Sequence, residues 1–359
     1  MYEQLGLEWL SPLAASAALG IILGLAFGAA AFATKFCIRR ALVHDDKSER
    51  STALAIWVTA LGVALLGTQL SVLAGWVEFS EHRLHITSVP YALIAIGGSL
   101  FGAGMVLSRG CASRLTVLSG GGNLRALFVV VIFAIAAHAT LKGILSPLRT
   151  TLAEFVFETN INVLLINSPI AIAVVVLLTV ATVVALVVRS NASRNQLLGG
   201  AVIGLLIPLG WVGTGLILQD DFDPIVFQSL SFTSPSADWL FWSIASTSTG
   251  AGFGVGLLFG VVTGSSITAV ATSKFQWTSF TSPAETGRYS LGAVLMGVGG
   301  VFAGGCTVGA GLSGVASLSI TALLALGFIA VGAKITHSTL QFHANRFSLS
   351  AGVRLATEN

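Results

Sequence analysis

Charged residues are bunched along this chain, and eight uncharged runs lie between the bunches: Trp9–Thr34, Ser51–Val77, Leu84–Ser108, Ala126–Leu141, Thr159–Val188, Asn195–Gln219, Trp239–Ser273 and Tyr289–Ala333. A helix needs about 20 predominantly apolar residues to cross the ~30 Å hydrocarbon core of a bilayer. Six of the eight runs fit one crossing or little more. The pattern predicts an all-α polytopic membrane protein with about nine transmembrane or deeply inserted helices. It reads as a single membrane domain over residues 1–359.

The last run does not fit one crossing. As a single helix, Tyr289–Ala333 would be about 67 Å long, twice the core thickness, so it must turn back. Its glycines gather in the middle, in "AGGCTVGAGLSG" (303–314), around Cys306. Irregular backbone at membrane depth is tolerated only where it is buried in protein or lines an aqueous cavity. The stretch is therefore expected to be a broken, re-entrant hairpin whose free N–H groups and helix N-termini favour anions.

A second segment matches this one. "GGSLFGAGMVLSRGC" (97–111) and "GAVLMGVGGVFAGGC" (292–306) share Gly-x4-Gly-x-Gly-x5-Gly-Cys without a gap, placing Cys111 in register with Cys306. A weaker pair is "GLAFG" (24–28) and "GLLFG" (256–260), each followed by a Lys-Phe, at Lys35 and Lys274. The match predicts an internal repeat, with one half at about 13–145, a bridging insert at about 150–240 and a second half at about 245–340. Charge placement around the first pair suggests inverted halves, whereas the second pair reads as parallel. Gly-interrupted segments at corresponding positions of two halves are the best sequence pointer to a transporter binding site. The rows Gly20-Gly24-Gly28 and Gly252-Gly256-Gly260-Gly264 read instead as faces on which helices approach closely.

Charge adds a direction. Only 9% of residues are charged, against about 25% in soluble domains. The first positive cluster, Lys35, Arg39, Arg40, Lys47 and Arg50, follows the first run, while Glu3 and Glu8 precede it. The positive-inside rule then predicts an N-terminus outside and a C-terminus inside. Glu78, Glu81, Asp220, Asp221 and Asp223 are expected outside. No positive n-region marks a cleavable signal peptide. The net charge of +3 is accounted for by loop positives and gives no reason to expect a nucleic-acid partner.

Three cysteines, Cys37, Cys111 and Cys306, give neither a disulfide framework nor a zinc spacing. No Walker-type nucleotide site is present, and no cofactor is expected. A lone membrane cysteine is ordinarily a small buried apolar residue, but two at the same repeat position ask for another reason. A thiol is a weak, polarizable donor suited to a sulfur-bearing anion, and as thiolate it can instead attack sulfane sulfur and form a persulfide. Arg109 and Arg114 flank Cys111, either attracting anions at a cavity mouth or serving as topology signals. His138 lies within an apolar run, where it either carries a proton or packs between helices. Lys334 and His337 read as interfacial anchors.

At these segments the chain resembles the YeeE/YedE family of sulfur-transport membrane proteins. "GGCTVGAGLSG" (304–314) is similar to that family's signature, "SRGCASRLTVLSGGG" (108–122) to its first-half partner, and "KFCIRRAL" (35–42) to its first cysteine segment. The resemblance implies a bacterial inner-membrane protein, an hourglass of short broken helices, and import of thiosulfate or a related sulfur anion past Cys37, Cys111 and Cys306. Gly110, Gly304, Gly305, Thr307, Arg109 and Arg114 complete the expected substrate path, with His138 the candidate for coupling. A small cytoplasmic sulfur-carrier protein is a further expected partner. The alternatives are a membrane sulfurtransferase that hands a persulfide sulfur to such a carrier, and a structural or regulatory membrane subunit.

Overall fold

The computed structural model describes residues 11–80, 82–85, 88–158, 169–220 and 223–357. Glu3, Glu8, Glu81 and Asp221, which entered the reading of sidedness, lie outside the described residues. The described residues are mainly helical: α1 (Pro12–Thr34), α2 (Ile38–Val43), α3 (Lys47–Leu73), α4 (Tyr91–Leu107), α5 (Ala112–Gly120), α6 (Leu124–Leu141), α7 (Ser146–Ala153), α8 (Pro169–Arg189), α9 (Arg194–Val212), α10 (Thr233–Ala245), α11 (Phe253–Ala271), α12 (Pro283–Phe302) and α13 (Ile320–Thr357). π-Helical turns occupy Gly213–Ile217 and Gly309–Gly314. A two-residue antiparallel ladder pairs β1 (Ser88–Val89) with β2 (Phe157–Glu158).

Helix starts follow the usual capping chemistry. The side chains of Ser11, Asp46, Asn123 and Ser282 accept N–H groups from the first turns of α1, α3, α6 and α12, and Ser193 with Gln196 forms a capping box on α9. Among the described residues seven helical stretches are long and apolar enough to cross a membrane: α1 with α2, α3, α4 with α5, α6, α9 with its π turn, α11, and α13 as far as Phe342. The uncharged run Trp239–Ser273 is not one helix. The polar, glycine-bearing stretch 246–252 separates α10 from α11.

Two glycine-lined contacts set the arrangement. On α1, Gly20, Gly24 and Gly28 face the α11 backbone at Phe253, Leu257 and Val261 in rising order, so these helices run parallel. Gly256, Gly260 and Gly264 reciprocate against Ala17, Ile21 and Leu25, and any added Cβ would collide with main chain. On α4 the order is reversed: Gly97 lies against Phe302 and Ala303, and Gly104 against Gly292 and Met296, so α4 and α12 run antiparallel. Both orientations suggested by the sequence therefore occur, each in its own helix pair.

One face of the bundle carries Glu78, the starts of α1 and α11, and the end of α12. The opposite face carries Lys35, Asn123 and Lys274. At the Lys35 face, Arg125 at the start of α6 pairs with Glu285 of α12 at 2.9 Å. Asp45 accepts from Gln341 at 2.7 Å and lies 3.4 Å from His337.

Candidate functional site

All three cysteines occupy the same local construction. A long helix ends on a residue in the left-handed region: Lys35 (φ 54°), Arg109 (φ 59°) and Gly304 (φ 75°). Its N–H bonds back to the carbonyl three residues earlier, in Phe32, Val106 and Val301 respectively. The cysteine follows two positions later, as Cys37, Cys111 or Cys306, and opens a short helical segment: α2, α5 or the π turn Gly309–Gly314. The N–H three residues beyond the cysteine then faces the sulfur. At Cys306 this is a formed bond, Gly309 N–H to Sγ at 3.3 Å. At Cys37 and Cys111 the N–H groups of Arg40 and Arg114 lie by the sulfur without closing a full cap bond. Each thiol thus sits at a helix N-terminus, where free N–H groups favour negative charge.

A left-handed residue is the expected helix stop. Glycine takes that conformation freely, as at Gly304, whereas Lys35 and Arg109 hold it against the side-chain penalty. That substitution is why the kinship of Cys37 with the other two was hard to see in the sequence. Gly110 and Gly305 both lie between the stop and the cysteine and are buried, as is Thr307.

The fold brings Cys37 and Cys111 into one buried cluster, near enough for the two thiols to act on each other electrostatically. Both are reduced and buried, as is Cys306. Ser113 Oγ lies 3.4 Å from Cys111 Sγ. The Arg114 guanidinium acts electrostatically on both thiols and donates to the Ala31 carbonyl at 3.3 Å, which ties α5 to the last turns of α1. Arg39, a residue the sequence reading used only for topology, also acts on Cys37. Arg40 is engaged elsewhere, paired with Glu49. Arg109 is exposed and is not among the groups acting on either thiol. His138 stacks on Phe241 of α10 at 5.2 Å and 13°, a packing contact between α6 and α10.

Cys306 is approached from the Glu78 face. A cavity of about 320 Å³ is bordered by Arg83, Ser231, Ser234, Asp238, Gly304 and Gly309, so its floor is the turn that brackets the thiol. That turn is clamped from several sides: Gln69 Nε2 donates to the Ala316 carbonyl at 2.9 Å, and Ser313 Oγ to the Leu230 carbonyl at 2.7 Å. From the Lys35 face a cavity of about 190 Å³ reaches Arg114, with Lys35 and Lys274 on its wall. Between the two lie Phe232, Phe27 and Phe36, all buried, with ring centroids 5.2 Å apart for Phe27–Phe232 and 6.3 Å for Phe27–Phe36. Among the described residues, no group of three His, Cys, Asp or Glu side chains is arranged to hold a metal ion.

Residues 32–335 match the protein family described as sulphur transport. The chain is 26% identical over 350 residues to the thiosulfate transporter TsuA of Spirochaeta thermophila, covering 87% of this chain and 96% of that protein. It is also 26% identical over 342 residues to the thiosulfate transporter TsuA of Escherichia coli, covering 87% and 91%.

Proposed function

This chain belongs to the sulphur transport family, and we propose that it is a permease that imports thiosulfate across a bacterial inner membrane past three thiols. The single observation that carries the reading is the threefold helix stop, cysteine and short helix, supported by the relatives' naming as thiosulfate transporters. On this reading the Glu78 face is external and the Lys35 face cytoplasmic, as the positive-inside rule expects. The two antiparallel hairpins, α4–α5 and α12 with its π turn, are the corresponding elements of the two repeat halves.

Thiosulfate gathers in the cavity above Gly304 and Gly309, sheds part of its hydration onto backbone N–H groups, and meets the Cys306 thiol. It then passes to the Cys37–Cys111 pair and Arg114, and leaves through the cavity bearing Lys35 and Lys274. Weak S–H donors suit this task, because conduction needs sites that hold the solute only loosely. The Phe232–Phe27–Phe36 contact makes the described conformation an occluded one.

Uptake of labelled thiosulfate into proteoliposomes holding only this chain tests the proposal. Cys37→Ala, Cys111→Ala and Cys306→Ala are each expected to lower uptake at least tenfold. Normal uptake by all three variants would overturn it. A membrane sulfurtransferase, the second reading, is favoured by the placement of Cys37 and Cys111 in one buried cluster, an arrangement fit to relay a persulfide. In it a cysteine thiolate takes the outer sulfur of thiosulfate, whose S–S bond breaks to release sulfite, so it predicts a one-sulfur mass gain on a cysteine with equimolar sulfite, whereas the permease predicts neither.

A further inference from the structure

Arg83 lies outside the matched repeat segments and the cysteine segments, yet it borders three adjoining cavities at the Glu78 face, of about 320, 200 and 760 Å³. No hydrogen bond or ion pair neutralises its guanidinium among the described residues. Its side chain is exposed to that space, and an arginine stays charged in proteins.

Its backbone is held on both sides. The His82 ring packs with Phe79, Trp211 and Phe227 at 6.1, 5.2 and 5.4 Å, and His82 Nδ1 accepts the Leu84 N–H at 3.3 Å. The Leu84 carbonyl accepts hydroxyls from Ser319 at 2.6 Å and Thr321 at 3.0 Å. His85 Nε2 lies 3.2 Å from Ser317 Oγ. The anchored neighbours fix where this exposed side chain leaves the backbone, at the rim that the three cavities share. Around the cavity of about 320 Å³ stand Gln228, Ser231 and Ser234, whose side chains make no hydrogen bond among the described residues, and its floor is Gly304 and Gly309. A volume of about 320 Å³ equals roughly ten water molecules at ~30 Å³ each, enough for a small oxyanion that keeps part of its hydration.

We infer that Arg83 is the specificity-determining group of this cavity, selecting a tetrahedral sulfur oxyanion there with Ser231, Ser234 and Gln228 as its neutral donors. The planar guanidinium can grip two oxygens of such an anion at once, leaving the outer sulfur free to face Cys306 below. Asp238, the one carboxylate on the wall, opposes dianion binding and sets how tightly the site holds. The inference rests on the permease reading and adds the station that precedes the thiols.

The test is the concentration dependence of thiosulfate uptake in proteoliposomes for the wild-type chain, Arg83→Gln and Arg83→Lys, with calorimetric titration of thiosulfate and of sulfate into the purified protein. Arg83→Gln is expected to raise the half-saturating concentration roughly ten- to hundredfold, the range of a lost charge-assisted contact, with the maximal rate within about twofold. Arg83→Lys, keeping charge but not the two-pronged grip, is expected in between. Asp238→Asn is expected to tighten half-saturation. A half-saturation unchanged in Arg83→Gln overturns the inference; if that variant does not fold, Arg83→Met decides on the same terms. If the wild-type chain imports no sulfur anion, the permease reading fails by itself. Calorimetry then decides the capture site: binding lost in Arg83→Gln supports it, and no binding to wild type ends it.

Discussion

The thiols of Cys37 and Cys111 lie in one buried cluster although they open different short helices, α2 and α5, and the Arg114 guanidinium acts electrostatically on both. Proximity of two reduced thiols has a direct chemical consequence. A mild membrane-permeant oxidant is expected to join them, removing two titratable thiols while leaving Cys306 free, and to arrest thiosulfate uptake until a reductant is added. Mass mapping of the cysteine peptides checks it. Capture of Cys306 in the bond, in place of either partner, would contradict the geometry.

Arg109 and Arg114 flank the same cysteine but are expected to differ sharply. Arg114 reaches the thiols and braces α5 on α1, so Arg114→Gln should lower uptake at least tenfold. Arg109 occupies the left-handed stop that its counterpart Gly304 fills with glycine. Arg109→Gly should relieve backbone strain of about 1 kcal/mol and leave uptake within about twofold. Parallel uptake and melting measurements on the two variants separate the roles.

Acid should destabilise the loop that holds Arg83. Burial chiefly holds His82 and His85 at pKa values of about 4, with repulsion from Arg83 and His85 adding to the effect at His82. The unfolded chain titrates these rings near 6.5. Because the folded values are the lower ones, the unfolded state takes up protons first as pH falls. Stability is therefore full above about pH 6.5 and drains away toward pH 4. The melting temperature in detergent should fall across that window, and His82→Gln with His85→Gln should flatten the slope.

The α1–α11 contact should tolerate no added bulk. Gly24→Leu or Gly260→Leu drives a side chain into the facing backbone, and overpacking of this kind costs about 1–3 kcal/mol or more. Both are expected to lower the melting temperature and yield. Gly287→Ala, at an open position on α12, should do neither.

Much of this protein is written locally. Hydropathy is a property of each segment, so the uncharged runs show their helices directly. Close backbone approach demands glycine, so the row from Gly97 to Cys111 repeats visibly from Gly292 to Cys306. The break after Phe302 follows from length alone, since the run is longer than a bilayer is thick. The run Trp239–Ser273 holds two helices, because 246–252 is uncharged yet too polar and glycine-bearing to stay helical.

Tertiary structure decided what depends on distant partners. Lys35 and Arg109 stand where Gly304 does, and a left-handed conformation held by packing leaves no glycine to betray it. The clustering of Cys37 with Cys111, and the role of Arg39 beside them, arise from how α1 and α5 dock. Arg83 reads as an ordinary loop charge until Ser317, Ser319 and Thr321 fix its neighbours from the far end of the chain. Hydrogen bonds across such separations impose no period on the sequence, so only the folded chain displays them.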